Sequence, residues 1–441
     1  MTEDQTRDYI VREDDVIIED VIISTSVGGD TSIFQSMISL GFFEDIFGGF
    51  MTGQLLMVDG NNLIRKLPIM GREFVKVIFR TPLAREKKTL IMRVCGQLSR
   101  SMNDKKRQNV LELRLISPTG YKNMITKFSK SYRGTYSKIV RNICNDAFQS
   151  PVFVDETFGD NVVCFPYSSA LQMITQIRPD AVPEGADNKI ESSGFVFYET
   201  SSGLNFRCLN LLFTQIPRED LFFVKSFSTR NSEDVDDLTF KTHVPKVLTM
   251  NRSFDRMTQH IGGAFSNTQY SYDITNKSWG INTFNYTRDS DIVKKESEIF
   301  NPVITQREVD NQSPSTFSFV ERSTQRHDGV GESDTRSQTH RYAMSNYALC
   351  NDTEVEIEVP GNSDLEAGKT VILTITKNDT DAAMKEGDND SEKSGVYLIK
   401  NLQHRFFFSS DETQTMKTKL CLVRNFRGEP ASTSLEINDG S

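Results

Sequence analysis

Apolar residues recur two apart along most of the first 117 positions, which is the period of a strand with one buried face. Residues 16–24 (VIIEDVIIS) open the series, and Gly28-Gly29 breaks it. Residues 32–40 read as a straight or bent strand, 42–46 as a short amphipathic turn, and 51–59 as a strand closed by Gly60-Asn61-Asn62. Residues 63–67 fit one helical turn before Pro68. Across 74–80, Phe74, Lys76 and Ile78 fall on one face and Val75, Val77 and Phe79 on the other. Residues 90–99 and 109–117 form a strand pair around the polar turn 102–108. Leu56, Val75, Val77 and Phe79 are the expected barrel-core or ring-contact positions.

The period changes at Pro118-Thr119-Gly120. Residues 121–130 and 135–147 carry helical spacing, with Thr135 as cap and Ile139, Ile143 and Ala147 on one face. A third helix covers 168–177, capped by Ser168 or Ser169, with Leu171, Ile174 and Ile177 inward. Residues 195–199 and 204–209 make a hairpin around Ser201-Ser202-Gly203. Strand character returns from about 237: 246–260 reads as helical, and 264–273 pairs with 278–285. From 288 to 336 the composition collapses into Ser, Thr, Asp, Gln and Arg, unsuited to a core. A helix fits 337–348, and strands resume from 354 to 426.

These patterns predict a mainly β protein with α+β parts. Two similar antiparallel β-barrel domains flank a middle α+β domain, with a polar insertion. The expected division is a flexible arm (1–14), a first barrel (15–118), the middle domain (119–236) and a second barrel (237–287 with 349–428). A polar insertion or extended loop with a short helix (288–348) interrupts the second barrel, and 429–441 is a disordered tail.

Charge and chemistry narrow the function classes. With net charge −9, the chain lacks the overall basic balance of a nucleic-acid binder. The acidic first fifteen residues are no signal peptide, and no apolar run reaches the length of a membrane span. Six scattered cysteines form no CxxC pair, so neither a zinc site nor a disulfide framework is indicated; Cys95, Cys208 and Cys421 read as buried small apolar residues. The five histidines have no ligand spacing, and His404 lies inside an apolar strand. GxSxG, Walker A and HExxH are absent. Glu19-Asp20 and Glu44-Asp45 are adjacent on strands and point to opposite faces, which suits neither for acid–base work. No catalytic, metal or cofactor-binding residue is expected, and no cofactor.

Two features remain. Lys122, Lys127, Lys130, Arg133, Lys138 and Arg141 form a basic patch, with no acidic residue from 121 to 143. It is either a partner-facing surface or the solvated side of two helices. Phe42, Phe43, Ile46, Phe47 and Phe50 form a dense apolar cluster beside Gly48-Gly49. They are either barrel core or candidate ring or subunit contacts.

The phrase at 43–82 (FEDIFGGFMTGQLLMVDGNNLIRKLPIMGREFVKVIFRTP) and its looser echo at 359–375 and 395–424 carry a resemblance. With the hairpin FVFYETSSGLNF at 195–206, their order resembles the baseplate hub proteins of contractile-tailed bacteriophages. That family is related to the hub part of the VgrG spike of type VI secretion and to phage late-control proteins. The resemblance covers most of 15–426; the segments 288–336 and 379–393 have no clear counterpart.

The resemblance implies a structural virion protein of the tail baseplate, made in the host cytoplasm, and not an enzyme. It implies a homotrimer whose six barrels form a pseudo-sixfold ring. One side of the ring meets hexameric tail tube or tube-initiator proteins. The other holds a trimeric spike from a separate chain, and baseplate wedge proteins surround it. DNA passes the lumen during ejection without specific binding, so acidic or neutral strands should line the channel and the basic patch should face outward. A hub of a phage-derived injection or secretion system fits the same residues. A tail-associated peptidoglycan hydrolase is the alternative from another class.

Overall fold

The computed structural model describes residues 14–25, 29–59, 69–81, 87–103, 108–184, 193–223, 245–252, 256–273, 277–285, 317–321, 335–350, 353–375, 390, 393–408 and 414–424. The N-terminal part contributes β1 (Ile17–Thr25), β2 (Gly29–Ser32), β3 (Met37–Asp45), β4 (Thr52–Asp59), β5 (Phe74–Arg80), β6 (Lys88–Asn103) and β7 (Gln108–Ile116). The middle part follows as α1 (Pro118–Ile125), β8 (Phe128–Gly134), α2 (Tyr136–Phe148), β9 (Val152–Val154), β10 (Asn161–Ser168), α3 (Ala170–Ile177), β11 (Phe195–Thr200), β12 (Gly203–Cys208) and α4 (Leu209–Phe213). The remainder is β13 (Glu219–Phe223), β14 (Val247–Arg252), α5 (Arg256–Ile261), β15 (Ser266–Asp273), β16 (Ser278–Asn285), β17 (Phe317–Glu321), α6 (Thr335–Leu349), β18 (Thr353–Pro360), β19 (Thr370–Ile375), β20 (Gly395–Phe408) and β21 (Gln414–Arg424).

One sheet runs β14-β18-β21-β20-β3-β4-β7-β6-β5-β1-β2, with β19 and β13 branching from β20. Alternation along the strands, interrupted by bulges such as that between Ile18 and Asp20, sends apolar side chains inward. The N-terminal core takes Ile18, Val21 and Ile23 from β1, Val75, Val77 and Phe79 from β5, and Leu111, Leu113 and Leu115 from β7. The sheet folds over this core along β6, a 16-residue strand bent by register shifts at Val94/Gly96 and Gln97/Ser99. The ring is closed by the far end of the C-terminal hairpin. β20 pairs with β3, and Asp15 bridges Thr415 of β21. Phe406 and Met416 therefore lie in the N-terminal core.

The inner ends of the same two strands build the second core. Tyr397, Leu398, Leu402, Leu420 and Leu422 pack with Val355, Ile357 and Val359 of β18, Val371 and Leu373 of β19, and Leu221 of β13. Val196 and Tyr198 of β11 and Leu209 and Leu212 of α4 cover that face. Gly368, at φ +81°, is confined to glycine, because a Cβ there would lie 2.0 Å from the Tyr198 hydroxyl. The middle body packs α2 and α3 against β8–β10 and β11–β12–β9 around Ile139, Ile143, Ile174, Phe195 and Phe206. A small sheet, β16-β15-β17, lies with α6 around Phe265 and Phe284.

The fold is mainly β with antiparallel sheets, as the pattern predicts, but the chain divides differently at several points. β13, assigned by sequence to the middle domain, runs parallel to β19 in the large sheet. β15 and β16, assigned to the second barrel, form the separate small sheet. Residues 121–130 are a helix followed by strand β8, not one helix, since the helical run is capped at Thr126 and Phe128–Gly134 pairs with β10. Within 246–260 the chain makes β14 before α5. Residues 42–46 continue strand β3 to Asp45 rather than turning. Leu56 lies on the outer face of β4, with Leu55 taking the core position. The possible turn at 63–67 and the arm, tail and most of the polar insertion lie outside the described residues.

Candidate functional site

The apolar cluster near Gly48-Gly49 marks where three cores meet. Phe42 points into the N-terminal core, against Phe406 at 5.9 Å between ring centroids. Ile46, four residues on, is buried in the second core. Phe50 packs edge-on to Phe148 and Phe197 of the middle body. Phe47 meets Tyr347 of α6. Phe43 is half-exposed on the outer face of the sheet. One short segment thus pins four parts of the chain together, with Phe42 and Ile46 spent entirely on internal packing.

Buried carboxyls complete this junction. Glu44, 2% exposed, accepts hydrogen bonds from Ser201 N at 2.7 Å and Ala367 N at 3.0 Å. Burial pushes its carboxyl up to about 8, with neighbouring Glu366 adding to the rise and the two backbone donors opposing it. Glu366 accepts from the hydroxyls of Ser201 and Ser202. Glu199 accepts from Met51 N and the hydroxyls of Ser117 and Thr119, and burial raises its carboxyl as well. These bonds fix the tip of the β11–β12 hairpin and the start of α1 to the large sheet. His404 is buried beside them; its Nδ1 lies 3.0 Å from Thr418 Oγ1, and burial drops its ring to about 3. It is a neutral packing histidine, consistent with its place in an apolar strand.

The outer face of the sheet is mostly polar, with Phe43, Leu56 and Phe407 among its charged and amide side chains, and contains the seam between the two modules. Val355, Ile357 and Val359 point inward, so Glu354, Glu356 and Glu358 point outward. Each meets a lysine: Lys400 at 3.2 Å, Lys419 at 2.7 Å and Lys417 at 3.0 Å. Beyond β21 the face continues through Gln403 opposite Phe43 and Arg405 opposite Gly41, then through Gln54 hydrogen-bonded to Glu112. A cleft of about 390 Å³ lies on the seam, lined by Phe43, Asp45, Glu356, Asn401, Gln403 and Lys419. This face thus carries both charges, and cross-strand pairing offsets its lysines.

The basic patch lies on the middle body, and neighbouring elements neutralise half of it. Lys130 pairs with Asp146 at 2.6 Å, Arg133 with Asp160 at 3.6 Å, and Arg141 with Glu156. The hydrogen bonds from Lys130 and Arg141 hold the Asp146 and Glu156 carboxyls below their ordinary values. Lys122 donates to the Phe148 carbonyl, and Lys127 stands over the Tyr167 ring. Among the described residues, Lys127 and Lys138 have no carboxylate within ion-pair distance. The carboxylate partners of Lys130, Arg141 and Arg133 lie at 146, 156 and 160, just beyond the window in which the sequence shows no acid.

The six cysteines are free, and Cys95 is half-exposed rather than buried because it sits at the bulge of β6. Among the described residues, no group of His, Cys, Asp or Glu is arranged to hold a metal ion. No described helix is long and apolar enough to cross a membrane.

This fold is found in solved structures of tail proteins. Two solved structures share it: the tail protein from Neisseria meningitidis MC58, with a TM-score of 0.53 at 10% identity over 92% of this chain and 96% of that one, and the 43 kDa tail protein of prophage MuSo2 from Shewanella oneidensis, with 0.51 at 10% identity over 93% and 100%. No protein-family model and no curated sequence matches the chain. The likeness is one of fold, and it agrees with the fold expected from the residues that resemble hub proteins.

Proposed function

We propose that this chain is a structural protein of a contractile tail, acting as the central baseplate hub. Three copies close into a ring, and two sheet modules per chain give that ring six. Such a ring matches a hexameric tube on one side and a trimeric spike on the other, with wedge proteins around it. A closed threefold arrangement is what converts a doubled module into a sixfold face; a dimer of the same chain presents four.

The observation that carries this reading is the β3–β20 ladder, Asn401–Asp45 to Phe407–Ser39. It fuses both modules into one continuous sheet with a mostly polar outer face. An antiparallel sheet with one face on the core can leave its other face to water. We assign that face to the channel wall. Its lysines are already paired with Glu354, Glu356 and Glu358, so few cations remain to release counterions from passing DNA. Labelled antibody to this chain should decorate the tip of purified tails. Label confined to the sheath or capsid would overturn the assignment.

A further inference from the structure

The N-terminal barrel does not close on its own strands. Its open sides are β3 and the start of β1, which β2 leaves uncovered, and the outer half of the β20–β21 pair sits between them. On one side β20 makes the seven-pair ladder to β3. On the other, Met416 N donates to Asp14 O at 2.8 Å and Val16 N to Gln414 O at 3.2 Å. Ile18 N donates to Gln414 Oε1 at 2.9 Å. Phe406 and Met416 are fully buried in the barrel, and the Phe406 ring lies edge-on to Phe79 at 4.9 Å. Phe408 meets Phe34 at 5.7 Å.

We propose that the outer strand ends, 401–408 of β20 and 414–418 of β21, act as a donated pair of strands. They dock in a slot between β1 and β3, and the barrel opens by releasing them before its own strands part. Two strand edges with unpaired backbone groups make such a slot, and an extended partner satisfies both by main-chain bonds while its apolar side chains fill the interior. The partner that fits is a pair of strands with Phe406 and Phe408 on one and Met416 on the other. The N-terminal barrel then closes only on a chain already made to its last strands. This inference is independent of the hub reading.

Native-state hydrogen exchange of the full chain tests it, because local opening and global unfolding give different amide patterns. In Phe406→Ala, the amides of Val16, β3 and Met416 that bond across the slot should exchange at least tenfold faster. The β5–β6 and β4–β7 ladders should keep wild-type protection. Leu373→Ala, in the second core, should leave the Val16 amide unchanged. A synthetic peptide of residues 400–420 added to the Phe406→Ala chain should restore the Val16 protection. Equal acceleration in all strands of the barrel, no acceleration at Val16, or no restoration by the peptide would each overturn the proposal. If Phe406→Ala does not fold, Phe406→Leu gives the same comparison with a smaller change.

Discussion

Glu44 and His404 are the two residues whose protonation the fold holds furthest from ordinary values, and they push stability in opposite directions. Glu44 titrates at about 8 when folded against 4.5 ordinarily, so the folded chain keeps a proton that the unfolded chain has released. Its contribution falls as pH rises through that window, by up to about 1.4 kcal/mol per pH unit. His404 titrates at about 3 against 6.5, so its contribution is lost as pH falls from 6.5 toward 3. The two slopes cancel between 4.5 and 6.5. Relative to wild type, Glu44→Gln should lessen the loss of stability from pH 6.5 to 8, and His404→Gln the loss from 4.5 to 3. Urea midpoints from pH 3 to 9 measure this; unchanged limbs in both variants would contradict it. Phe79, buried against Phe406, should cost about 3–5 kcal/mol on truncation to Ala. A loss under about 1 kcal/mol in the same unfolding assay would contradict its core position.

Among the elements, those with a strong local signal were legible. Thr135 and Ser169 cap α2 and α3 as expected, and Ser169 with Gln172 forms a reciprocal capping box. Ser169→Ala should therefore cost about 1 kcal/mol, read as a lowered urea midpoint; no change would show that the cap is dispensable. The β11–β12 turn also fell where Ser201-Ser202-Gly203 places it. The failures share a cause. β8 (FSKSYRG) buries one side chain, Tyr132, and has few apolar residues, so pairing with β10 rather than propensity makes it a strand. Leu55-Leu56-Met57 offers no polar residue to fix the register, and one position decides which side faces the core. The neutralisation of the basic patch came from Asp146, Glu156 and Asp160, which only tertiary structure brings alongside.

For the whole molecule, the two strand-rich stretches were legible in the phrase at 43–82 and its echo, but their interlocking in one sheet was not. Alternation along residues 395–424 says that two long strands exist, not that Leu402 serves one core and Phe406 the other. The seam and its carboxyl junction at Glu44 depend on that sharing, and no spacing rule shows it. The mostly polar outer face of the sheet leads to a further expectation: the purified assembly should bind duplex DNA weakly at physiological salt. Tight binding that collapses with added salt would instead point to the patch at Lys122, Lys127 and Lys138 as a nucleic-acid surface. The hub reading itself turns on stoichiometry, because only three copies of a doubled module give six. Native mass spectrometry of the purified full chain is the direct measurement: the expected result is a complex of three copies, and a stable dimer or a hexamer would contradict it.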